Sequence, residues 1–282
     1  MDFLKVIFIS IVQGIAEFLP ISSSGHIFLL KKIFNLNVDM SFDIIIHLGT
    51  LFSIICIYFK DIKDLISGVF YTSYKSSLFE GVTDRNDYLR IYSLFIVSIL
   101  PAAIVGFLIK DVLNTYFVIS NSKIFILVGF SFVLTSVFLI LTATVRYKKT
   151  AILKKMTYKQ AFAIGFFQIF ALLPGVSRAG ATISGALLSG VDKKEAGRFS
   201  FLLSIPLIIA AFILELVDIL QGELIFQNNL IWQYIVGFLV SFCIGFLALK
   251  LLLKMIQTGK IYFFAIYLII PIVVSFIIGF SV

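Results

Sequence analysis

Charge is scarce in this chain: Asp, Glu, Lys and Arg together make up 13% of its 282 residues. Soluble domains carry about twice that share, so an ordinary water-facing surface is excluded. Histidine and cysteine are just as sparse, at two each, which leaves no ligand spacing for a zinc site and no disulfide framework. Cys56 and Cys243 sit in separate apolar runs and are expected to be small buried hydrophobes. What fills the chain instead is apolar: 60% hydrophobic residues, 32 of them Phe, and a mean hydropathy of +1.09. That composition marks a polytopic membrane protein. The formal charge of +8 does not indicate nucleic acid, because the lysines and arginines cluster in short loops between apolar runs. There they orient the chain and meet anionic headgroups.

The first residues, Met1 to Leu19, have the outline of a signal peptide, with Lys5 ahead of an apolar stretch. Asp2, Glu17 and the lack of a small-x-small site before Pro20 predict that the segment is retained. Apolar stretches near the roughly 20 residues needed to cross a bilayer fall at about 41–59, 89–109, 122–144, 199–219, 231–250 and 261–281. Two further apolar regions, about 3–34 and 158–189, are cut near the middle by Pro20 and Pro174 and by the polar cluster after each. Each half is too short to span, so both regions predict re-entrant helix pairs.

Lys60, Lys63, Lys75, Arg85 and Arg90 lie in what reads as the first long loop, and Arg146, Lys148, Lys149, Lys154, Lys155 and Lys159 precede the second pair. Both segments are expected on the cytoplasmic side, with 220–230 outside. The expected architecture is therefore an all-α integral membrane protein with six transmembrane helices and two re-entrant pairs. It reads as one membrane domain, 1–282, holding an inverted-topology repeat of about 3–144 and 158–281. Such repeats bring their broken elements together near the bilayer midplane. Small-residue helix faces are compatible with a homodimer.

The two breaks carry the chemistry. Arg178 lies within Pro174-Gly175-Val176-Ser177-Arg178-Ala179-Gly180-Ala181-Thr182, and Glu17 within Glu17-Phe18-Leu19-Pro20-Ile21-Ser22-Ser23-Ser24-Gly25-His26. A guanidinium at membrane depth is costly enough to be a functional hypothesis with an anionic partner to find. Helix starts after each break expose free N–H groups that suit an anion. Ser22, Ser24, Gly175, Ser177 and Thr182 are thus candidate phosphate contacts, with Arg178 as a two-point clamp. The bland alternatives are helix capping for the serines, and a structural ion pair with Glu17 or a snorkelling side chain for Arg178. Glu17 could hold a cation or act as a base, with Gln13 one turn earlier on the same face. His26, three residues after Ser23, could exchange a proton with a hydroxyl or a leaving oxygen, or be structural. Asp43 and His47, four apart, read either as supports of the site or as a buried hydrogen-bonded pair.

These segments closely resemble the signatures of the undecaprenyl pyrophosphate phosphatases of the bacitracin-resistance type. Phe42-Asp43 with Leu48-Gly49-Thr50, and Phe199-Ser200-Phe201-Leu202-Leu203-Ser204-Ile205-Pro206, look like that family's other marked stretches, and the likeness runs from about residue 3 to 270. The resemblance implies a hydrolase of the bacterial cytoplasmic membrane, assisted by Mg²⁺ or Ca²⁺, that acts on a long-chain isoprenyl diphosphate among membrane lipids. It implies a role in the peptidoglycan lipid cycle and in bacitracin resistance, and with the charge-based orientation the active site is expected to open to the outer face. It places Glu17, Ser23, His26 and Arg178 on the family's catalytic positions, Ser23 as a covalent nucleophile or beside an attacking water. Gln13 departs from the pattern, since many members have glutamate there, and His47 stands where many have glutamine. A lipid-phosphate transporter is the competing reading, because broken helices in inverted repeats also build transporters.

Overall fold

The computed structural model describes residues 3–34, 40–70, 76, 79–118, 122–144, 152–220 and 230–281. Among them the chain is all helical: α1 (Phe3–Phe18), α2 (Ser23–Ile33), α3 (Met40–Ile57), α4 (Phe59–Phe70), α5 (Arg85–Val118), α6 (Ser122–Ala143), α7 (Tyr158–Phe170), α8 (Arg178–Leu188), α9 (Lys193–Leu220), α10 (Ile231–Thr258) and α11 (Phe263–Ser281). Five helices, α5, α6, α9, α10 and α11, are long and apolar enough to cross a bilayer; α3 and α4, bent by 71° at their junction, make a sixth if they count as one broken span.

Both expected breaks are present. α1 stops at Phe18 and α2 begins at Ser23, with Pro20, which has no N–H to donate, in the turn between them. α7 begins with a capping box between Thr157 and Gln160 and gives way before Pro174; α8 restarts at Arg178. The segment expected as a loop between the first two spans is a loop only in part, because Lys60 and Lys63 lie in α4, and Arg85 and Arg90 in the first turns of α5. Ile62, Leu65, Ile66 and Val69 recur at helical spacing between the charges, and that amphipathic period outweighs the polar composition. The loop 220–230, apart from its two ends, and Lys75, Arg146, Lys148 and Lys149 lie outside the described residues.

Buried charge fastens α4 to the start of α9. Arg198 Nε lies 2.8 Å from Asp61 Oδ1 and its Nη1 3.2 Å from Glu195 Oε1, with the guanidinium 4.9 Å from the centre of the Phe79 ring. Cys56 and Cys243 correct the reading from sequence, since both are exposed on the protein surface. In a membrane protein the outward face of a helix is as apolar as its core face, so apolar surroundings in sequence do not imply burial in protein.

α10 packs along both α1 and α3, α7 packs on α5 and α8, and α6 on α11, whereas α5 and α9 touch only briefly. Close approach of α3 and α10 depends on missing side chains. A Cβ at Gly49 would meet the Ser241 hydroxyl and come within 2.6 Å of the Phe238 carbonyl oxygen. Gly49→Ala is therefore expected to lower stability by about 1–3 kcal/mol, read as an earlier thermal unfolding midpoint in detergent. An unchanged midpoint would show that Gly49 does not set the spacing.

Candidate active site

Glu17 is the centre of the site, and its carboxylate is contacted from both breaks. Arg178 Nη2 donates to Oε1 at 2.6 Å. Ser23 Oγ donates to Oε2 at 2.8 Å, and Gln13 Nε2 to the same oxygen at 3.2 Å. His47 Nε2 stands 3.9 Å from Oε2. The Glu17 side chain is only 8% exposed, so this carboxylate is held by an opposite charge and two neutral donors rather than by water.

The two turns share one design. Ser22 caps α2 and accepts from Gly25 N at 3.2 Å; Ser177 caps α8 and accepts from Gly180 N at 3.1 Å. Gln13 precedes Ser22 by nine residues and Gln168 precedes Ser177 by nine, and both glutamines are buried with an Oε1 that has no partner among the described residues. Gly175 joins the turns, at φ 94°, where its N–H reaches Ser24 Oγ at 3.5 Å. A Cβ there would press to 3.0 Å on the Val128 carbonyl oxygen, so the close approach needs glycine.

Between the turns is a polar cavity of about 150 Å³ lined by Glu17, Ser22, Ser23, Ser24, Ser177 and Arg178. A second cavity of about 280 Å³ meets it at Glu17 and Arg178 and is walled by α3 and α9, with His47 beside Leu48, Leu207 and Phe212. Helix N-termini, hydroxyls and a guanidinium around a small polar space are the chemistry that suits an anion.

Of the residues singled out in the sequence, Gln13, Glu17, Ser23, Arg178 and His47 come together, with Ser22, Ser24 and Ser177 around them. Thr182, Asp43 and His26 stand outside this group. Thr182 donates to the Arg178 carbonyl at 3.0 Å and so supports α8. The Asp43 carboxylate pairs with Lys31 Nζ at 2.6 Å, while its carbonyl accepts from His47 Nδ1 at 2.7 Å. His26 bonds the Ser22 carbonyl through Nδ1 at 2.8 Å and the Tyr267 hydroxyl through Nε2 at 2.9 Å. A carbonyl only accepts, so Nδ1 carries the proton and Nε2 accepts from Tyr267. Ser23 thus has Glu17, not His26, as its proton acceptor here.

Tyr267 was not foreseen: its ring also stacks on His26 at 5.7 Å between centroids, yet it stands 241 positions away in an apolar run with no motif. Thr135, whose Oγ1 accepts from Ser177 N at 3.1 Å, was equally silent. The matching interval from Gln168 to Ser177 was the one signal that could have drawn attention to Gln168.

Fold and site together define an integral membrane protein with a polar centre built from two interrupted helices. The chain belongs to the family described as bacitracin resistance protein BacA, whose pattern it matches over residues 6–274. It is 38% identical over 261 residues to the undecaprenyl-diphosphatase of Methanococcus vannielii, covering 93% of this chain and 94% of that protein. The proteins of the same name from Halothermothrix orenii and Desulforapulum autotrophicum are 37% and 35% identical, over 95% and 99% of this chain and 94% and 99% of theirs.

Proposed function

We propose that this protein is an undecaprenyl-diphosphatase, releasing inorganic phosphate from the lipid diphosphate and leaving the monophosphate carrier. The observation that carries the reading is that both helix breaks converge on Glu17, with Ser23 on one carboxylate oxygen and Arg178 on the other. The diphosphate would enter the polar cavity and take the N–H groups of the two capped turns. The Nη2 contact leaves other guanidinium donors, and these would hold the terminal phosphate as charge develops on it. Ser23 Oγ would attack the terminal phosphorus and its proton would pass to Glu17 Oε2, while the bond to the bridging oxygen breaks. Water would then release phosphate from the serine. His26, held by Tyr267, stands behind the Ser22 turn, where it would keep the backbone of the anion site in place. The test is phosphate release by purified protein from a long-chain isoprenyl diphosphate in detergent; binding without release would favour a transporter.

In this reading the molecule is one domain of two inverted repeats, about 3–144 and 158–281, with six crossings and two re-entrant pairs. Support comes from the matched Gln-to-Ser intervals and from the paired contacts of α1 with α10 and of α7 with α5. The site would open to the outer face of the cytoplasmic membrane, serving the recycling of a peptidoglycan carrier and with it bacitracin resistance. Cysteines introduced near Asn228 are expected to react with an impermeant thiol reagent from outside, and those near Lys148 not to. The background must lack Cys56 and Cys243, both exposed. Reversed labelling would put the site on the other face.

A divalent cation fits with one qualification of number. Among the described residues no three His, Cys, Asp or Glu side chains gather as a ligand set, and beside Glu17 the neighbour one turn earlier is the amide Gln13 rather than a second carboxylate. Glu17 supplies one carboxylate, and the unpartnered Gln13 Oε1 supplies a neutral oxygen if its amide turns over. With diphosphate oxygens these form the hard donor set that Mg²⁺ or Ca²⁺ takes. The cation would neutralise charge on the diphosphate. Gln13→Glu is expected to lower the metal concentration at half-maximal phosphate release, and an unmoved midpoint would sever Gln13 from metal binding.

A further inference from the structure

The contacts among the long helices are unequal in a way the repeat does not require. In repeat order α9 stands where α3 does and α5 where α10 does. α3 lies against α10 along most of its length, but α9 and α5 barely meet. The sequence supplies the cause. Glycines at 49 and 237 let α3 and α10 close, whereas α5 and α9 each carry an internal proline, Pro101 and Pro206. Each proline leaves one helical carbonyl without its N–H partner, which weakens the helix locally. The opening holds two cavities in succession. One of about 310 Å³ is lined by Ala102, Ala103, Gly106, Leu172 and Leu207, with Gln168 and Arg178 its polar members. The next, of about 320 Å³, lies among Tyr92, Phe95, Ile99, Leu202 and Ile205, with Ile62 and Leu65 of α4 closing one wall.

We propose that the seam between α5 and α9 is the groove that holds the phosphate-proximal part of the substrate's isoprenyl tail, a reading that rests on the hydrolase assignment. The occupant follows from continuity: the seam ends on the same Arg178 that lines the phosphate cavity, so its ligand is a long apolar chain with an anion at that end. From Tyr92 to Phe107 the seam follows α5 for roughly 22 Å at 1.5 Å per residue. That length accommodates the first few isoprene units, and the remainder would lie in lipid. Small residues at 102, 103 and 106 leave the room, and the unpartnered amide oxygen of Gln168 marks the polar end.

The test fills the groove from its lipid-facing side. Ala103 is exposed, and a Cβ at Gly106 makes only ordinary contact, 3.4 Å from Leu172, so Ala103→Leu with Gly106→Leu adds bulk where space exists. Phosphate release is measured on a long-chain isoprenyl diphosphate and on a ten-carbon one, with Ala210→Leu as a lipid-facing control. The filled variant is expected to raise KM for the long chain about tenfold, the equivalent of roughly two buried methylenes. The ten-carbon KM should rise as well, because its two units occupy the same cavity beside Arg178, whereas Ala210→Leu should leave both KM values as in the parent. An unchanged long-chain KM overturns the groove. A diazirine-bearing isoprenyl monophosphate supplies the second arm and needs no turnover: it should cross-link to α5 and α9 in the parent and not in the filled variant. Equal cross-linking by a diazirine phospholipid would make the seam a general lipid site and overturn the proposal. Loss of hydrolysis of every isoprenyl diphosphate by the parent, with cross-linking intact, would sink the hydrolase reading alone.

Discussion

Arg178→Ala and Arg178→Lys should both lose about 100- to 1000-fold in phosphate release, the scale of removing one preorganised electrostatic donor from a water-poor site. Lysine keeps the charge but not the planar fork, so it cannot hold Glu17 and a phosphate oxygen at once with fixed geometry. Near-normal turnover by the lysine variant would remove two-point recognition from the mechanism. The alanine variant also leaves the 8%-exposed Glu17 side chain without its cation, and an unpaired buried charge is strongly destabilising. Its thermal midpoint therefore has to be compared with that of the lysine variant before the rate loss is assigned to chemistry.

Glu17→Gln is expected to abolish nearly all turnover, by about 100- to 10,000-fold if the carboxylate takes the Ser23 proton. A glutamine keeps the shape and leaves Ser23 and Arg178 without a charged acceptor. The informative comparison is Glu17→Gln, Ser23→Ala and the double variant in single-turnover phosphate release. Groups acting as one unit lose function once, so the double variant should be no slower than the worse single. Additive losses would show that Glu17 works independently of Ser23. If Glu17 merely neutralised Arg178, the residual rate of Glu17→Gln would keep the parent's metal midpoint.

Much of this was legible in the chain because membranes simplify it. Crossing lengths and the prolines at 20 and 174 located the breaks, since a half-length apolar segment has few other places to go. Glu17, Ser23 and Arg178 stood out for the same reason: polar groups in an apolar run have to meet each other. The sequence was least informative where chemistry and surroundings matched. Cys56 and Cys243 looked buried because lipid and protein core are equally apolar. α4 was hidden by its charges, although its apolar positions had helical spacing. Tyr267 could not be paired with His26, because one hydroxyl in an apolar helix gives no direction. The inequality of the α3–α10 and α5–α9 seams followed from glycines and prolines visible at the outset, but their consequence needed the helices to be placed.

Ser22 is the only non-glycine residue with positive φ among those described, at 71°. Such a conformation costs on the order of 1–3 kcal/mol and persists only when its surroundings impose it. Gly25 N, the Ser24 hydroxyl and the His26 ring are all tied to this residue. The turn is thus wound before any ligand arrives, and the chain meets that expense once, during folding, instead of at every catalytic cycle. Under the proposed function, the diphosphate would find its donors in register and bind without first having to order a flexible loop. A homologue selected for heat resistance alone would be drawn to relax this turn, and it would grow sturdier as it became slower.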